Sequence, residues 1–299
     1  RLFGRRLQKD PQYSPYWPRF NEAQADQILK KALFKAAQQE PVIRIYLNYL
    51  KKTGAFKPFM TPAEQNEIRK NRRRTIRRRY PFAGIVHDAQ NGVGDYPGHY
   101  VTFGKYATAK ELEKIYGLVI NESNDSVRMR LLWIFRRTSL PRVDKRILRW
   151  ADGPHEGLRS AAIGALSQVS DPRIHKLAKA KLKAGKLLGA DNEVLDLFLN
   201  CYHCRDAGLI TRSLYAVRPD AEEAHCLGLG IIVLAERYND PLLENALRWT
   251  YENMPCTNCR SDAVIQLDRI GRLDADTLQE CLYDAHEDTR AFAAKGGGV

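Results

Sequence analysis

Apolar and polar positions follow a helical period through most of this 299-residue chain. From Asn21, residues Ile28, Leu29, Ala32, Leu33 and Ala36 line one face of an amphipathic helix. Pro41 opens a second helix, with Val42, Ile45, Tyr46, Tyr49 and Leu50 on one side and Gly54 as its stop. Thr61-Pro62-Ala63-Glu64 is a helix start, with Thr61 as N-cap, Pro62 in the first turn and Glu64 at the capping-box position. After Ala107 the pattern predicts helices over 107–120, 125–138, 142–152, 155–169, 172–184, 191–202, 206–217, 221–238, 241–253, 258–270 and 275–284, with a stub at 287–295. Pro, Gly, Asp and Asn fill the short connections, as in Asp171-Pro172 and Asp240-Pro241. This pattern predicts an all-α fold.

Residues 81–106 interrupt it. Gly84, Gly92, Gly94, Gly98 and Gly104, with Pro81 and Pro97, read as one long Gly/Pro/Tyr-rich loop, with a short strand at Tyr100-Val101-Thr102-Phe103. His87, Asp88, Asp95, Tyr96, His99 and Tyr100 form its polar cluster, either a loop site or an ordinary structured loop. The organisation expected is a basic helical region at 1–80, a loop insertion at 81–106 and helical repeats at 107–299.

The helices repeat. Arg128 in Asp125-Ser126-Val127-Arg128 aligns with Arg159 in Glu156-Gly157-Leu158-Arg159, 31 residues on. Pro141-Arg142-Val143-Asp144-Lys145 aligns with Pro172-Arg173-Ile174-His175-Lys176 at the same offset, and Arg260 aligns with Arg290 at 30. Between 186 and 254 the period lengthens to about 35 and the arginine is replaced near His225. The pattern resembles HEAT repeats, in which one helix opens as acidic-x-x-Arg-x-x-Ala and its partner opens after Asp-Pro. The resemblance covers roughly 125–295, most closely Gly157–Ala184 and Asn258–Leu282, and more loosely 21–80. It implies an α-solenoid, a superhelix of stacked antiparallel helix pairs whose concave face binds a partner. Stacking of this kind buries Leu131, Ile134, Ile147, Leu148, Ala162, Leu166, Leu177, Leu195, Phe198, Ile231, Leu234, Leu247, Ile265 and Leu267 in one core.

Charge is distributed unevenly. Residues 1–80 hold 20 Lys/Arg and 6 Asp/Glu, a balance of +14, and the remainder, with 28 and 29, balances at −1. The peak is Arg69, Lys70, Arg72, Arg73, Arg74, Arg77, Arg78 and Arg79, eight basic residues in eleven. Guanidinium groups bind phosphate oxygens in pairs, and each phosphate neutralised releases counterions. The run therefore reads as a nucleic-acid contact, a solvated helix face or a site for an acidic protein. Arg130, Trp133, Arg136 and Arg137, on one predicted helix, are candidate concave-face contacts.

Six cysteines include Cys201-x-x-Cys204 and Cys256-x-x-Cys259. A repeat parse puts these two pairs on opposite edges, too far apart for one zinc ion. It groups Cys226, Cys256, Cys259 and Cys281 at one edge, as buried thiols, as a zinc site or disulfide, or with Cys256 as a reactive thiol at a helix N-terminus. Otherwise no cofactor is expected. P-loop, dinucleotide-binding, HExxH and GxSxG motifs are missing from the sequence. No apolar run approaches ~18 residues, and the basic stretch Arg1–Lys9 is not followed by an apolar export segment, so a cytoplasmic protein without membrane contact is expected. Two functional readings follow. One is a non-enzymatic HEAT-repeat scaffold that holds a protein or nucleic-acid partner, its basic region on a polyanion. The other is an enzyme similar to the HEAT-like alkylpurine DNA glycosylases, although their catalytic Trp/Asp pattern does not align with Trp133, Trp150 or Trp249.

Overall fold

A computed structural model describes residues 36–52, 62–93 and 97–298. Among the described residues there is helix and no strand, and no helix is long and apolar enough to cross a membrane. The chain forms two compact units, residues 1–79 and 80–299.

The first unit contains α1 (Pro41–Lys52) and α2 (Pro62–Arg79). Thr61, the expected N-cap, lies outside the described residues. In α1, Val42, Ile45, Tyr46 and Tyr49 are exposed and Leu47 is buried.

The second unit begins with α3 (Phe82–Asn91) and α4 (Gly98–Tyr106), which corrects the expected loop and strand over 81–106. Four of the helix-breaking residues have local roles that fit the helices. Pro81 and Pro97 stand at the two helix N-termini, where a missing N–H costs nothing. Gly92 ends α3 in the left-handed conformation, φ 71°, that a Cβ disfavours. Gly104 sits inside α4 because its backbone presses on a neighbouring segment, Ile134–Arg137.

The remaining helices are α5 (Ala109–Asn121), α6 (Asp125–Trp133), α7 (Lys145–Trp150), α8 (Glu156–Leu166), α9 (Pro172–Lys183), α10 (Ala207–Tyr215), α11 (Ala221–Tyr238), α12 (Glu244–Asn253), α13 (Thr257–Arg269), α14 (Ala275–Cys281) and α15 (Glu287–Ala294). Short 3-10 turns cover Ile134–Arg137, Gly189–Asp191, Val194–Phe198, Cys204–Asp206 and Pro241–Leu243. The expected helix over 191–202 is thus a set of tight turns, bracketed by Gly189 and the Tyr202-His203 connection. Side-chain caps set many of the starts. Thr108 with Glu111, and Asp220 with Glu223, close full capping boxes, and Asn124, Asp144, Asp171 and Asp274 accept from first-turn amides.

Packing partners lie close in chain order. Helix α6 packs on α5 and α8, α8 on the 194–198 turn, that turn on α11, and α11 on α12 and α13. Helix α9 packs on α10, and α10 on α12. One core runs from Ile85 to Ile270, with Tyr116, Phe135 and Phe198 fully buried. Of the expected core residues, Leu148, Leu177 and Ile265 are only half-buried.

Three of the four repeated arginines make one contact in common. Each is the fourth residue after its helix N-cap, and its guanidinium turns back to the carbonyl six positions upstream. Arg128 donates to Glu122, Arg159 to Gly153 at 2.6 Å and Arg290 to Asp284 at 2.7 Å. Arg260 departs from this, pairing with the Asp284 carboxylate at 2.5 Å. In the second helices, Asp144 caps Arg146 N and Asp171 caps Arg173 N, while each arginine reaches back to a carbonyl, Ile120 at 3.1 Å and Val143 at 3.0 Å. Asp144 and Asp171 are therefore equivalent, 27 residues apart. This corrects the alignment of Pro141 with Pro172, since Pro141 lies before α7 and Pro172 is inside α9.

Candidate functional site

Helix α2 carries the basic run. Arg69, Lys70, Arg72, Arg73, Arg74, Arg77, Arg78 and Arg79 are all exposed, and from Asn66 to Arg79 only Ile76 is even half-buried. No apolar stripe dictates one buried side, so guanidinium groups project around the helix. Arg77, Arg78 and Arg79 occupy its last turn, where the helix dipole favours cations.

The expected loop site is split between two helices. His87 and Asp88 lie on α3, their side chains 3.7 Å apart and His87 open to solvent. Tyr100 is buried in α4 and donates its hydroxyl to the Val93 carbonyl at 3.0 Å. The His99 ring lies tilted against it with centroids 3.9 Å apart, and the Trp133 ring packs on it at 5.8 Å. Asp95 and Tyr96 lie outside the described residues.

The expected concave-face set is also divided. Arg130 donates to the Ala89 carbonyl at 3.2 Å, tying α6 to α3, and Trp133 is half-buried against the core. Arg136 pairs with Glu193 at 2.5 Å, and Arg137 is exposed. The other tryptophans also pack internally: Trp150 lies under the Arg128 guanidinium and Trp249 is buried.

Glu193 belongs to an acidic nest that the sequence pattern does not mark. Its carboxylate also accepts from the Ser160 hydroxyl at 2.8 Å. Desolvation, reinforced by the Asp196 charge, pushes its carboxyl up to about 8. Desolvation likewise raises Asp196 to about 6, with the Arg136 charge opposing it. Nearby, Lys181 is fully buried, with Nζ 2.5 Å from Asp191 and 3.2 Å from Asp152, and Asp191 also faces Arg159 at 3.5 Å.

The cysteines regroup. Among the described residues, one set of three or more His, Cys, Asp or Glu side chains converges as metal ligands would: His225, Cys256 and Cys259, with their ligand atoms all within 4.8 Å of one another. Cys256 is the N-cap of α13, Cys259 lies in its first turn, and His225 comes from the first turns of α11. Hydrogen bonds from Cys259 and His225, then from the Cys259 and Asn258 backbone, hold the Cys256 thiol down to about 3. The Cys259 thiol is raised by that same contact and by burial.

The expected set of Cys226, Cys256, Cys259 and Cys281 does not form. Cys226, next to His225 in sequence, is desolvated in the neighbourhood of Glu193, which lifts its thiol to about 11. Cys281 is buried 3.9 Å from the Tyr251 hydroxyl. Cys201 donates to the Leu197 carbonyl at 2.8 Å, and Cys204 is exposed. In sequence, His225 stands near the start of the helix one repeat before Cys256 and Cys259, where the repeated arginine is replaced.

Compared with protein-family models, curated proteins and solved structures, the chain matches none.

Proposed function

We propose that this chain is a non-enzymatic binding scaffold. Stacked helix pairs of the HEAT type form an α-solenoid whose concave face holds a protein or nucleic-acid partner, and α2 makes the contact to a polyanion. The exposure of the entire run Arg69–Arg79 on one helix carries this reading. A helix so charged has little apolar surface to bury, and exposed guanidinium groups offer paired donors to phosphate oxygens. The recurring arginine-to-carbonyl contacts and the packing of helices close in chain order support the solenoid. Six thiols, none in a disulfide, fit a reducing, cytoplasmic setting.

The experiment is a salt titration of binding to labelled single- and double-stranded DNA and RNA, with wild type set against Arg72/Arg73/Arg74/Arg78→Ala. Removal of four phosphate contacts lowers affinity and flattens the log–log salt dependence by about 3 to 4. Equal affinity and equal salt slope in the two proteins reject α2 as a polyanion contact.

A further inference from the structure

We propose that His225, Cys256 and Cys259 form a zinc site that ties the start of α11 to the start of α13, with a water in the fourth position. Three features of the structure carry this.

The first is convergence. The two helices pack directly on each other. Cys256 and Cys259 are three residues apart, so both side chains leave α13 on the same side, toward His225. The ligand atoms already lie within 4.8 Å of one another. In a tetrahedral site with Zn–S near 2.3 Å and Zn–N near 2.05 Å, they stand about 3.5 to 3.8 Å apart. The ligand atoms are thus at most about 1 Å beyond tetrahedral spacing, a distance on the scale of side-chain rotation.

The second is chemistry. Two thiolates and an imidazole are soft and borderline donors, which favour zinc over magnesium or calcium. Two thiolates also neutralise a divalent cation, so the filled site adds no net charge to a half-buried pocket.

The third is access. Cys259 is buried, whereas His225 and Cys256 are half-exposed. Three protein ligands with one side toward solvent leave the remaining position to water, the arrangement of open rather than closed zinc sites.

The full chain is prepared reduced and metal-free, then titrated with cobalt(II), which reports thiolate ligation by charge-transfer absorption and tetrahedral geometry by intense visible bands. Wild type takes up one equivalent with both signatures, and zinc displaces it. Cys256→Ser and Cys259→Ser each lose about half of the charge-transfer intensity, His225→Ala binds at least tenfold more weakly, and Cys226→Ser and Cys281→Ser match wild type. Circular dichroism checks that each variant is folded. A readout free of variants is alkylation followed by peptide mass spectrometry, in which zinc protects Cys256 and Cys259 and leaves the exposed Cys204 reactive. No cobalt bands in the reduced wild type, or zinc protection at other cysteines, overturns the site. A Cys256–Cys259 disulfide in air-oxidised protein, together with failure of the reduced protein to bind cobalt, assigns the pair to thiol redox chemistry instead.

Discussion

Gly104 and Ile134 approach so closely that a Cβ on Gly104 would stand 2.0 Å from the Ile134 carbonyl oxygen. The obstruction is backbone, so no rotamer change relieves it. Gly104→Ala destabilises the second unit by about 1 to 3 kcal/mol or more. Gly117, inside α5 with nothing within 4 Å of its absent Cβ, is the internal comparison, and Gly117→Ala stabilises by ~0.5 to 1 kcal/mol. Urea unfolding of both variants checks the pair. Similar effects in the two would mean that α4 does not press on the 134–137 turn.

Asp191 is shared by Lys181 and Arg159. Lys181→Met leaves Asp191 with the Arg159 ion pair and Asp152 with the exposed Lys186. Arg159→Ala removes that remaining partner and the Gly153 tie as well. Each single change costs about 1.5 to 3 kcal/mol, the usual worth of a hydrogen bond to a charged group. The double variant is expected to depart from the sum by more than about 0.5 kcal/mol, because both cations answer to one carboxylate. Strict additivity in a double-mutant cycle would show that the two contacts are independent.

Glu193 sets a slope in stability against pH. Its folded value of about 8 lies above the ordinary 4.5, so the folded state holds a proton that the unfolded chain releases. Stability from this group is full below about pH 4.5 and is lost as pH rises through 8. Glu193→Gln is neutral throughout and removes its share, on the order of a few kcal/mol, while Asp196 keeps a decline of the same sign through about pH 6. Denaturation midpoints from pH 5 to 8 decide it. Parallel curves for the two proteins would remove Glu193 as their source.

Asp144 acts in the opposite direction. Hydrogen bonds from the Arg146 side chain and backbone hold its carboxyl at about 2, below the ordinary 3.8. Its stabilisation is present above about pH 4 and lost as pH falls through 2. Asp144→Asn keeps an acceptor for Arg146 N and loses the charge. Both partners are partly exposed, so the cost near neutrality is only ~0.2 to 1 kcal/mol. The gap between variant and wild type should narrow on acidification toward pH 2, and a gap that widened there would contradict the assignment.

Apart from the tight turns over 191–202, the helices after Ala107 were legible because their apolar spacing and their caps agree. Asp171-Pro172 and Asp220 with Glu223 mark starts that the structure keeps. Residues 81–106 were not legible, because composition pools glycines and prolines that act separately: two prolines at helix starts, Gly92 at a left-handed end and Gly104 at a crossing. The thiol site was half legible. Repeat length brought the start of α11 beside the start of α13, but one residue, or about 100° of helix rotation, separates His225 from Cys226. That angle follows from packing. The acidic nest left no pattern at all, since Arg136 and Glu193 are 57 residues apart and meet only through the fold.

The arginine ties described above are asymmetric in a way that bears on how such a chain tolerates change. On one side stands a guanidinium, which only one residue type supplies. On the other stands a main-chain oxygen, which every residue type supplies. Replacement of Glu122, Gly153 or Asp284 leaves that acceptor in place, whereas replacement of Arg128, Arg159 or Arg290 removes the donor. For this contact the bends between helices are free to drift in sequence, although Asp284 is held a second time, through its carboxylate, by Arg260.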